Sequence, residues 1–337
     1  MFCQLHCVHC PTGQRRATHR GRGYLKLEDF RDFTRDNPQI TGIELASHAE
    51  MLLNPDLLEI IKHAYSRNIR LTANVGVNLN RIGDELCEAL VKYKFRSLVC
   101  AIDGASQETY EIYRVGGHFN SVMENIKKIN FYKNKYHSKF PLLHWQFVVF
   151  GHNEHEIGIA RALAAKLNMS FIAGLAWVES WSPIRDREFV KREARLPFAT
   201  KGEFLKEKGG HYDRILCTQL WIDPQINWDG RMFGCCKNGW QDFGDVFQEG
   251  LVNVFNSERL NYARDMLMGK NAPREDVPCA SCELYREISA HKSWISTGFI
   301  RRVKWRRKIQ AGLFDYLPSG MLHRMIHWLS GRRNFQK

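Results

Sequence analysis

Cys3-Gln4-Leu5-His6-Cys7-Val8-His9-Cys10 places three cysteines at the very front of the chain, spaced C-x3-C-x2-C. Thiolate is the usual protein ligand for iron–sulfur clusters. This spacing lets three thiolates from one short loop grip three irons of a four-iron cube, leaving the fourth iron open to a small molecule. Zinc is a competing reading, because structural zinc sites mix Cys and His and His6 and His9 lie between the thiols. Those histidines share one crowded loop with the thiols, however, and no second ligand pair follows nearby. Unligated thiols are the third reading.

Working outward, helical and strand patterns alternate from about residue 25 to 175. Helices are expected over Leu27–Asp36, Pro55–Ser66, Asp84–Tyr93, Ser121–Lys135 and Glu154–Leu167. Strands are expected over Ile43–Ala46, Ile69–Ala73, Ser97–Ile102, Leu143–Phe150 and Ser170–Ala173. Such β-α alternation implies parallel strands joined by right-handed crossovers. In α/β barrels the chemistry gathers at the C-terminal strand ends, where the motifs below fall.

After the first of these strands comes Ser47-His48-Ala49-Glu50-Met51-Leu52-Leu53-Asn54-Pro55. Further on, Ser97-Leu98-Val99-Cys100-Ala101-Ile102-Asp103-Gly104-Ala105 leads into Glu108-x-Tyr110-Glu111-x-x-Arg114-Val115-Gly116-Gly117. With the cysteine triplet, these segments resemble the radical S-adenosylmethionine (SAM) superfamily. The second is very similar to the S-I-D-G-A…E-x-Y-E-x-x-R-x-G-G passage of members carrying an extra C-terminal cluster domain. The resemblance implies a partial (β/α)6 TIM-like barrel over residues 1–195. Cys3, Cys7 and Cys10 would hold a SAM-binding 4Fe-4S cluster. Glu50 would hold the SAM ammonium, with His48 and Ala49 supplying backbone contacts in place of the family's two glycines. Asp103 would face the ribose, Arg114 would pair with the SAM carboxylate, and Asn153 would lie near adenine. Ala101 stands where the family usually has a hydroxyl. Because the family has a strand before its cluster loop, the first barrel strand is expected to be missing here.

Past residue 210 the cysteines return as Cys217, the neighbours Cys235 and Cys236, and Cys279-Ala280-Ser281-Cys282. Trp221–Asn227 and Arg231–Cys235 read as two strands joined by Trp228-Asp229-Gly230, a hairpin with a D-G turn that brings Cys217 and Cys235 to one site. Four thiolates suit zinc and a 4Fe-4S cluster alike. The pattern C…D-G-R-x-x-x-C-C…P-C-x-x-C is similar to the SPASM domain. With no cysteine after Cys282, the resemblance implies the shortened twitch version. That is a small α+β domain over residues 210–290 with one auxiliary 4Fe-4S cluster on Cys217, Cys235, Cys279 and Cys282. Cys236 competes with Cys235 for one place. Cys87 and Cys100 read as buried packing residues.

The net charge of +13 is uneven: residues 293–337 carry ten Lys/Arg against the single acid Asp315, while the other 292 residues carry 39 bases and 35 acids. This basic tail contains two amphipathic helical patterns, around 299–309 and 321–329. Such helices read as membrane-surface or acidic-partner binders, so peripheral contact with the cytoplasmic membrane face is one expectation. A solvated helix capping the domain is the other. No nucleic-acid module accompanies the patch, and nucleic acid is not expected as a partner. Without a signal peptide or a long apolar run, a cytoplasmic location is expected, and ten cysteines there argue for metal binding rather than disulfides.

The resemblance implies an enzyme of oxidoreductase type. An external donor of flavodoxin or ferredoxin type would reduce the loop cluster, and SAM cleavage would give a 5′-deoxyadenosyl radical that abstracts a substrate hydrogen. The auxiliary cluster would accept an electron from the substrate radical. An unknown, carbohydrate-like or other small substrate is the first expectation. A peptide- or protein-modifying maturase is the alternative, and a catalytically inactive iron–sulfur scaffold at a membrane is the second alternative.

Overall fold

A computed structural model describes residues 2–16 and 19–316, with side chains to residue 309. The chain divides into two compact units, Met1–Ala17 with Arg22–Thr200, and Thr18–Gly21 with Lys201–Lys337.

The first unit is a parallel sheet with helices. Its strands β1 (Gly42–Glu44), β2 (Arg70–Val77), β3 (Ser97–Ala101), β4 (Leu142–Val149) and β5 (Ser170–Leu175) lie side by side in sequence order. The helices between them are α1 (Leu27–Asp36, before β1), α2 (Leu57–Ser66), α3 (Asp84–Lys92), α4 (Gln107–Tyr113), α5 (Phe119–Lys135) and α6 (Ile157–Lys166). Among the described residues the sheet is open, an arc rather than a closed barrel.

Helix α2 shows how sequence makes these elements. It buries Leu57, Ile60, Ile61 and Ala64, the i, i+3, i+4, i+7 stripe of an amphipathic helix. At the centre of the sheet, all five residues of β3 are buried, as a strand covered on both faces requires. Leu98, Cys100 and Ile102 join Trp145, Phe147 and the α3 and α5 side chains in the main core. Cys87 and Cys100 are both fully buried there, as packing residues. Alternation turns the intervening residues to the other face. There Glu44 accepts from the Thr72 hydroxyl at 2.7 Å and the Asn74 amide at 3.0 Å, and the Ser97 hydroxyl donates to Asn74 at 2.7 Å.

Strand β2 runs four residues beyond its expected end at Ala73. A register shift between Ala73 and Val77 carries it past Gly76, whose φ of +120° favours glycine. The run expected to be one helix from Glu154 starts as a 3-10 turn, Glu154–Glu156, ahead of α6.

After α7 (Arg187–Ala194), the second unit contains α8 (Lys201–Lys208), a 3-10 helix Tyr212–Thr218, and α9 (Gln219–Ile222). A two-stranded antiparallel hairpin follows, β6 (Gln225–Ile226) with β7 (Met232–Gly234). The expected strand start at Trp221 is therefore corrected, because residues 219–222 are helical and only the last part of the stretch pairs. Then come α10 (Val246–Glu249), α11 (Leu251–Phe255), α12 (Glu258–Leu267), a 3-10 turn Pro278–Ser281, α13 (Glu283–Ala290) and α14 (Thr297–Tyr316). Helix α14 covers the first amphipathic pattern of the basic tail, and the second lies outside the described residues. No described helix is long and apolar enough to cross a membrane.

Candidate active site

The front loop packs on the C-terminal ends of the strands. Leu5 and Cys7 are buried, in a cluster with Tyr113, Phe150 and Ala176 and with Cys3, Val8, Cys10, Val148 and Trp181 around them. Gly13 permits the tight return: a Cβ there would lie 2.9 Å from the Cys7 nitrogen. Its own N–H points at Cys10 Sγ, 3.4 Å away. The Cys7 thiol receives Arg114 Nη1 at 3.7 Å, and the Cys3 thiol receives Asn78 Nδ2 at 3.6 Å. Burial pushes the metal-free Cys3 thiol up to about 11 and raises that of Cys7, with Arg114 opposing the rise at Cys7. The three thiols are close enough to influence one another electrostatically.

Glu50 is buried beside this loop. Its oxygens accept the N–H of Asn78 at 2.7 Å and of Leu52 at 3.1 Å, and its own N–H donates to the Phe2 carbonyl at 2.9 Å. Burial pushes its carboxyl up to about 7, against the pull of those two N–H groups and Arg114. The His48 carbonyl receives the Thr12 hydroxyl, so the segment bearing His48 and Ala49 is pinned to the front loop.

At the end of β3, Gly104 lets the chain turn tightly, since a Cβ would come 2.6 Å from the Tyr110 nitrogen. Ser106 then caps α4 through the Thr109 N–H. The turn brings Arg114 back onto Asp103, with Nη2 2.6 Å and Nε 2.7 Å from Oδ2, a two-pronged contact that suits the guanidinium fork. Asp103 is fully buried and also takes the Val148 N–H at 2.7 Å. Burial works against the Arg114 cation, but Asp103, then Cys7, outweigh it and hold its pKa above the usual arginine range. Asn153 spends its side chain inward, donating to the carbonyls of Asp103 (3.0 Å) and Val148 (2.9 Å) and accepting the Phe150 N–H at 2.8 Å. That is a brace between two strand ends.

Asn78 is a part of this site that no motif in the sequence marks, and the aromatic-lined mouth suggested by residues 177–181 is built around Trp181. Asn78, just past β2, ties Glu50 to Cys3 and exchanges hydrogen bonds with Gln4. Its only sequence signal is the pair Asn78 and Asn80 closing an apolar strand. An aromatic wall also stands beside the loop. Trp181 meets His9, Phe150, His152 and Tyr113 with ring centroids 5.4, 5.3, 5.2 and 5.7 Å away. His9 Nε2 and His152 Nε2 are buried without a hydrogen-bond partner. Burial pushes His152 down to about 4, which leaves it neutral near pH 7.

In the second unit, Cys217 lies in the last turn of the 3-10 helix before α9, Cys235 and Cys236 follow β7, Cys279 sits in the later 3-10 turn and Cys282 caps α13. These distant segments converge. Burial raises the Cys217 thiol well above its usual range, and the thiols of Cys235, Cys279, Cys282 and lastly Cys236 add to it. Cys279 responds to Cys235 and Cys282. Among the described residues, no three His, Cys, Asp or Glu are gathered so as to hold a single metal ion. Of these thiols Cys217 is buried and the others are half-buried, and such a set fits the soft, thiolate-loving chemistry of an iron–sulfur cluster.

Residues 1–157 match the radical SAM superfamily, and residues 217–283 match the SPASM iron–sulfur cluster-binding domain. Residues 1–157 are a radical SAM domain, and residues 217–283 a SPASM domain. Its fold is similar to that of Streptococcus suis SuiB bound to S-adenosylmethionine, at 16% identity and a TM-score of 0.59, covering 85% of this chain and 69% of that one. SuiB bound to its precursor peptide SuiA gives the same TM-score at 14% identity, covering 85% and 68%. No curated protein sequence matches the chain significantly. These domains carry two kinds of group with them, 4Fe-4S clusters and S-adenosylmethionine, and set the zinc reading aside.

Proposed function

We propose that this radical SAM protein abstracts hydrogen from a polar small substrate, carbohydrate-like in its hydroxyl content, and oxidises it by two electrons. Cys3, Cys7 and Cys10 would hold the SAM-binding cluster, and Cys217, Cys235, Cys279 and Cys282 the auxiliary one. When bound, these groups supply an electron to cleave SAM into methionine and a 5′-deoxyadenosyl radical, and an acceptor for the electron a substrate radical gives up as it loses a proton.

The protein's own residues orient and exclude. Glu50 would receive the SAM ammonium. The SAM carboxylate would join the Asp103–Arg114 pair on the open side of the guanidinium, which is 15% exposed. The aromatic wall of Trp181, Phe150 and Tyr113 offers a flat apolar face for adenine and keeps water from the loop. Cys235 is favoured over Cys236 because it stands first among the thiols felt by Cys217 and Cys279 feels it but not Cys236.

The single observation behind the reaction class is the convergence of three thiols, Glu50 and the Asp103–Arg114 pair on adjoining strand ends. The substrate class rests on the polar inner face of the sheet, Glu44, Thr72, Asn74 and Ser97. A second reading, modification of a peptide, draws support from the fold shared with SuiB, which has been seen with its precursor peptide. Anaerobic reconstitution, iron counting and measurement of 5′-deoxyadenosine test the class. About eight irons per chain with SAM cleavage is expected, and eight irons without cleavage would leave the inactive scaffold. A panel of polyols and peptides separates the substrates, because the true one stimulates 5′-deoxyadenosine release and acquires the oxidation.

Helix α14 carries the finer reading of location. Trp305 is 61% exposed, with Arg301, Arg302, Lys304 and Lys308 also exposed around it, while Ile300 and Val303 pack inward. An interfacial aromatic among bases suits an anionic lipid surface at the cytoplasmic membrane face. Co-flotation with vesicles containing about a third phosphatidylglycerol, lost on Trp305→Ala or in high salt, is the expected result. Failure to float would leave α14 as a solvated cap.

A further inference from the structure

Arg20 is a buried cation in search of an anion. It is 3% exposed. Its Nη2 donates to the carbonyls of Cys236, at 3.2 Å, and Asn238, and its guanidinium carbon lies 5.0 Å from the centre of the Phe233 ring. Its own carbonyl is gripped by Asn227 Nδ2 at 2.8 Å and Trp228 Nε1 at 3.1 Å, and the preceding His19 N–H bonds to the Gly239 carbonyl at 3.1 Å. The segment is thus docked on the loop that follows β7. Among the described residues, no carboxylate pairs with Arg20. The groups whose ionised form would act on it are the thiols of Cys235 and Cys236. A guanidinium taken out of water at several kcal/mol without a counter-ion is an unstable arrangement. Four thiolates around an iron–sulfur core supply the missing negative charge.

We propose that Arg20 is a positioning residue for the auxiliary cluster. Its fixed positive charge stabilises the more negative, reduced form and so raises the cluster's reduction potential, making it a better electron acceptor. The inference rests on the assignment of Cys217, Cys235, Cys279 and Cys282 as the auxiliary ligands. Charge beside a cluster and hydrogen bonding around it are among the factors that set such potentials. Arg20 brings the first directly. Through the Cys236 and Asn238 carbonyls it also fixes the backbone next to Cys235, whose thiol interacts with the backbone N–H groups of Asn238 and Lys237.

The test is a redox titration followed by electron paramagnetic resonance. It uses the full-length chain with Cys3, Cys7 and Cys10 all changed to Ala, so that only the auxiliary signal remains. This protein is expected to hold about four irons. If it holds none, the ligand assignment fails, which is a separate failure from that of Arg20. In that background Arg20→Gln keeps donors but removes charge. It is expected to lower the midpoint by at least a tenfold change in the reduction equilibrium, about 59 mV for one electron. Arg20→Lys is expected to restore most of the shift. An unchanged midpoint in Arg20→Gln with full iron overturns the proposal. So does loss of iron in both the Gln and Lys variants, which marks a role in folding alone. Loss of iron in Gln with a near-native midpoint in Lys supports the charge.

Discussion

The front loop and the auxiliary site differ in how far along the chain their thiols are collected. Cys3, Cys7 and Cys10 come from one turn of chain, whereas Cys217 and Cys282 stand 65 residues apart in sequence. The front loop rests on a sheet whose core is complete without it: Leu98, Cys100, Trp145 and Phe147 pack against α3 and α5 whatever the loop holds. In the second unit the thiols arrive on a 3-10 helix, the end of a short hairpin, a second 3-10 turn and the cap of α13. Among the described residues that unit has only a two-stranded sheet, and its thiols lie on segments that otherwise share little regular structure. On the proposed ligand assignment, cluster binding at the front would be an addition to a folded scaffold, and at the auxiliary site it would be part of folding, as with metals that assemble small domains.

The sharpest way to break this contrast is to remove one proposed ligand from each set. Cys7→Ser is expected to abolish 5′-deoxyadenosine formation, by at least about a thousandfold, and to halve the iron, while thermal unfolding of the first unit barely moves. Cys282→Ser is expected to halve the iron as well but to leave SAM cleavage measurable, with substrate oxidation lost. Equal loss of cleavage in both variants would show that the two sites do not divide the work.

Chelation of iron sharpens the same contrast through stability. If the proposed auxiliary cluster holds the second unit together, limited proteolysis of the iron-depleted protein is expected to cut first within residues 201–316, with fragments of the sheet surviving. Cleavage that begins instead within 22–200 would reverse the roles assigned to the two regions.

The Asp103–Arg114 pair gives the next effect in size. Asp103→Asn strips the buried guanidinium of its counter-charge, and breaking a buried pair from one side typically costs several kcal/mol. SAM affinity is expected to fall by about a hundredfold or the protein to lose stability. Arg114→Lys, which keeps charge but loses the two-pronged contact, is expected to cost about tenfold. Equilibrium dialysis with SAM reads both. If Arg114→Lys binds as well as the native protein, the SAM carboxylate does not use this fork.

Legibility in the sequence followed the same division between local and distant. The helix α1 and the strand starts at Ser97 and Ser170 stand where the periodicity puts them, because each is set by its own apolar pattern. The triplet and the Asp103-Gly104-Ala105 turn were equally plain. What escaped was made by tertiary contact. β2 continues past Ala73 because β3 pairs with Val77 across a register shift. The Trp221 stretch curls into α9 because Leu220 accepts Arg264 through its carbonyl and buries its side chain. Asn78 and Arg20 gain their places only when strand ends or a docked segment meet thiols from elsewhere. No local pattern marks an asparagine that will face a cysteine on another element.

The smallest effect concerns Glu50, and its sign separates two roles for the residue. In the ligand-free protein burial raises its carboxyl to about 7, so the folded state holds a proton that the unfolded chain has already released. That contribution favours folding at low pH and is lost as pH rises from the ordinary carboxylate range through about 7. Binding of the SAM ammonium needs the opposite form, the carboxylate. Affinity for SAM is therefore expected to fall by up to about tenfold for each pH unit below 7 and to level off above it, with a proton released on binding at pH 6.5. Isothermal titration in two buffers of different ionisation enthalpy measures that proton directly. Glu50→Gln, which keeps the acceptor for the Asn78 or Leu52 N–H but cannot ionise, is expected to bind more weakly at pH 8 and to lose the slope. A slope that persists in the Gln variant would place the titrating group elsewhere and leave Glu50 as a cap for the turn at Met51–Leu53.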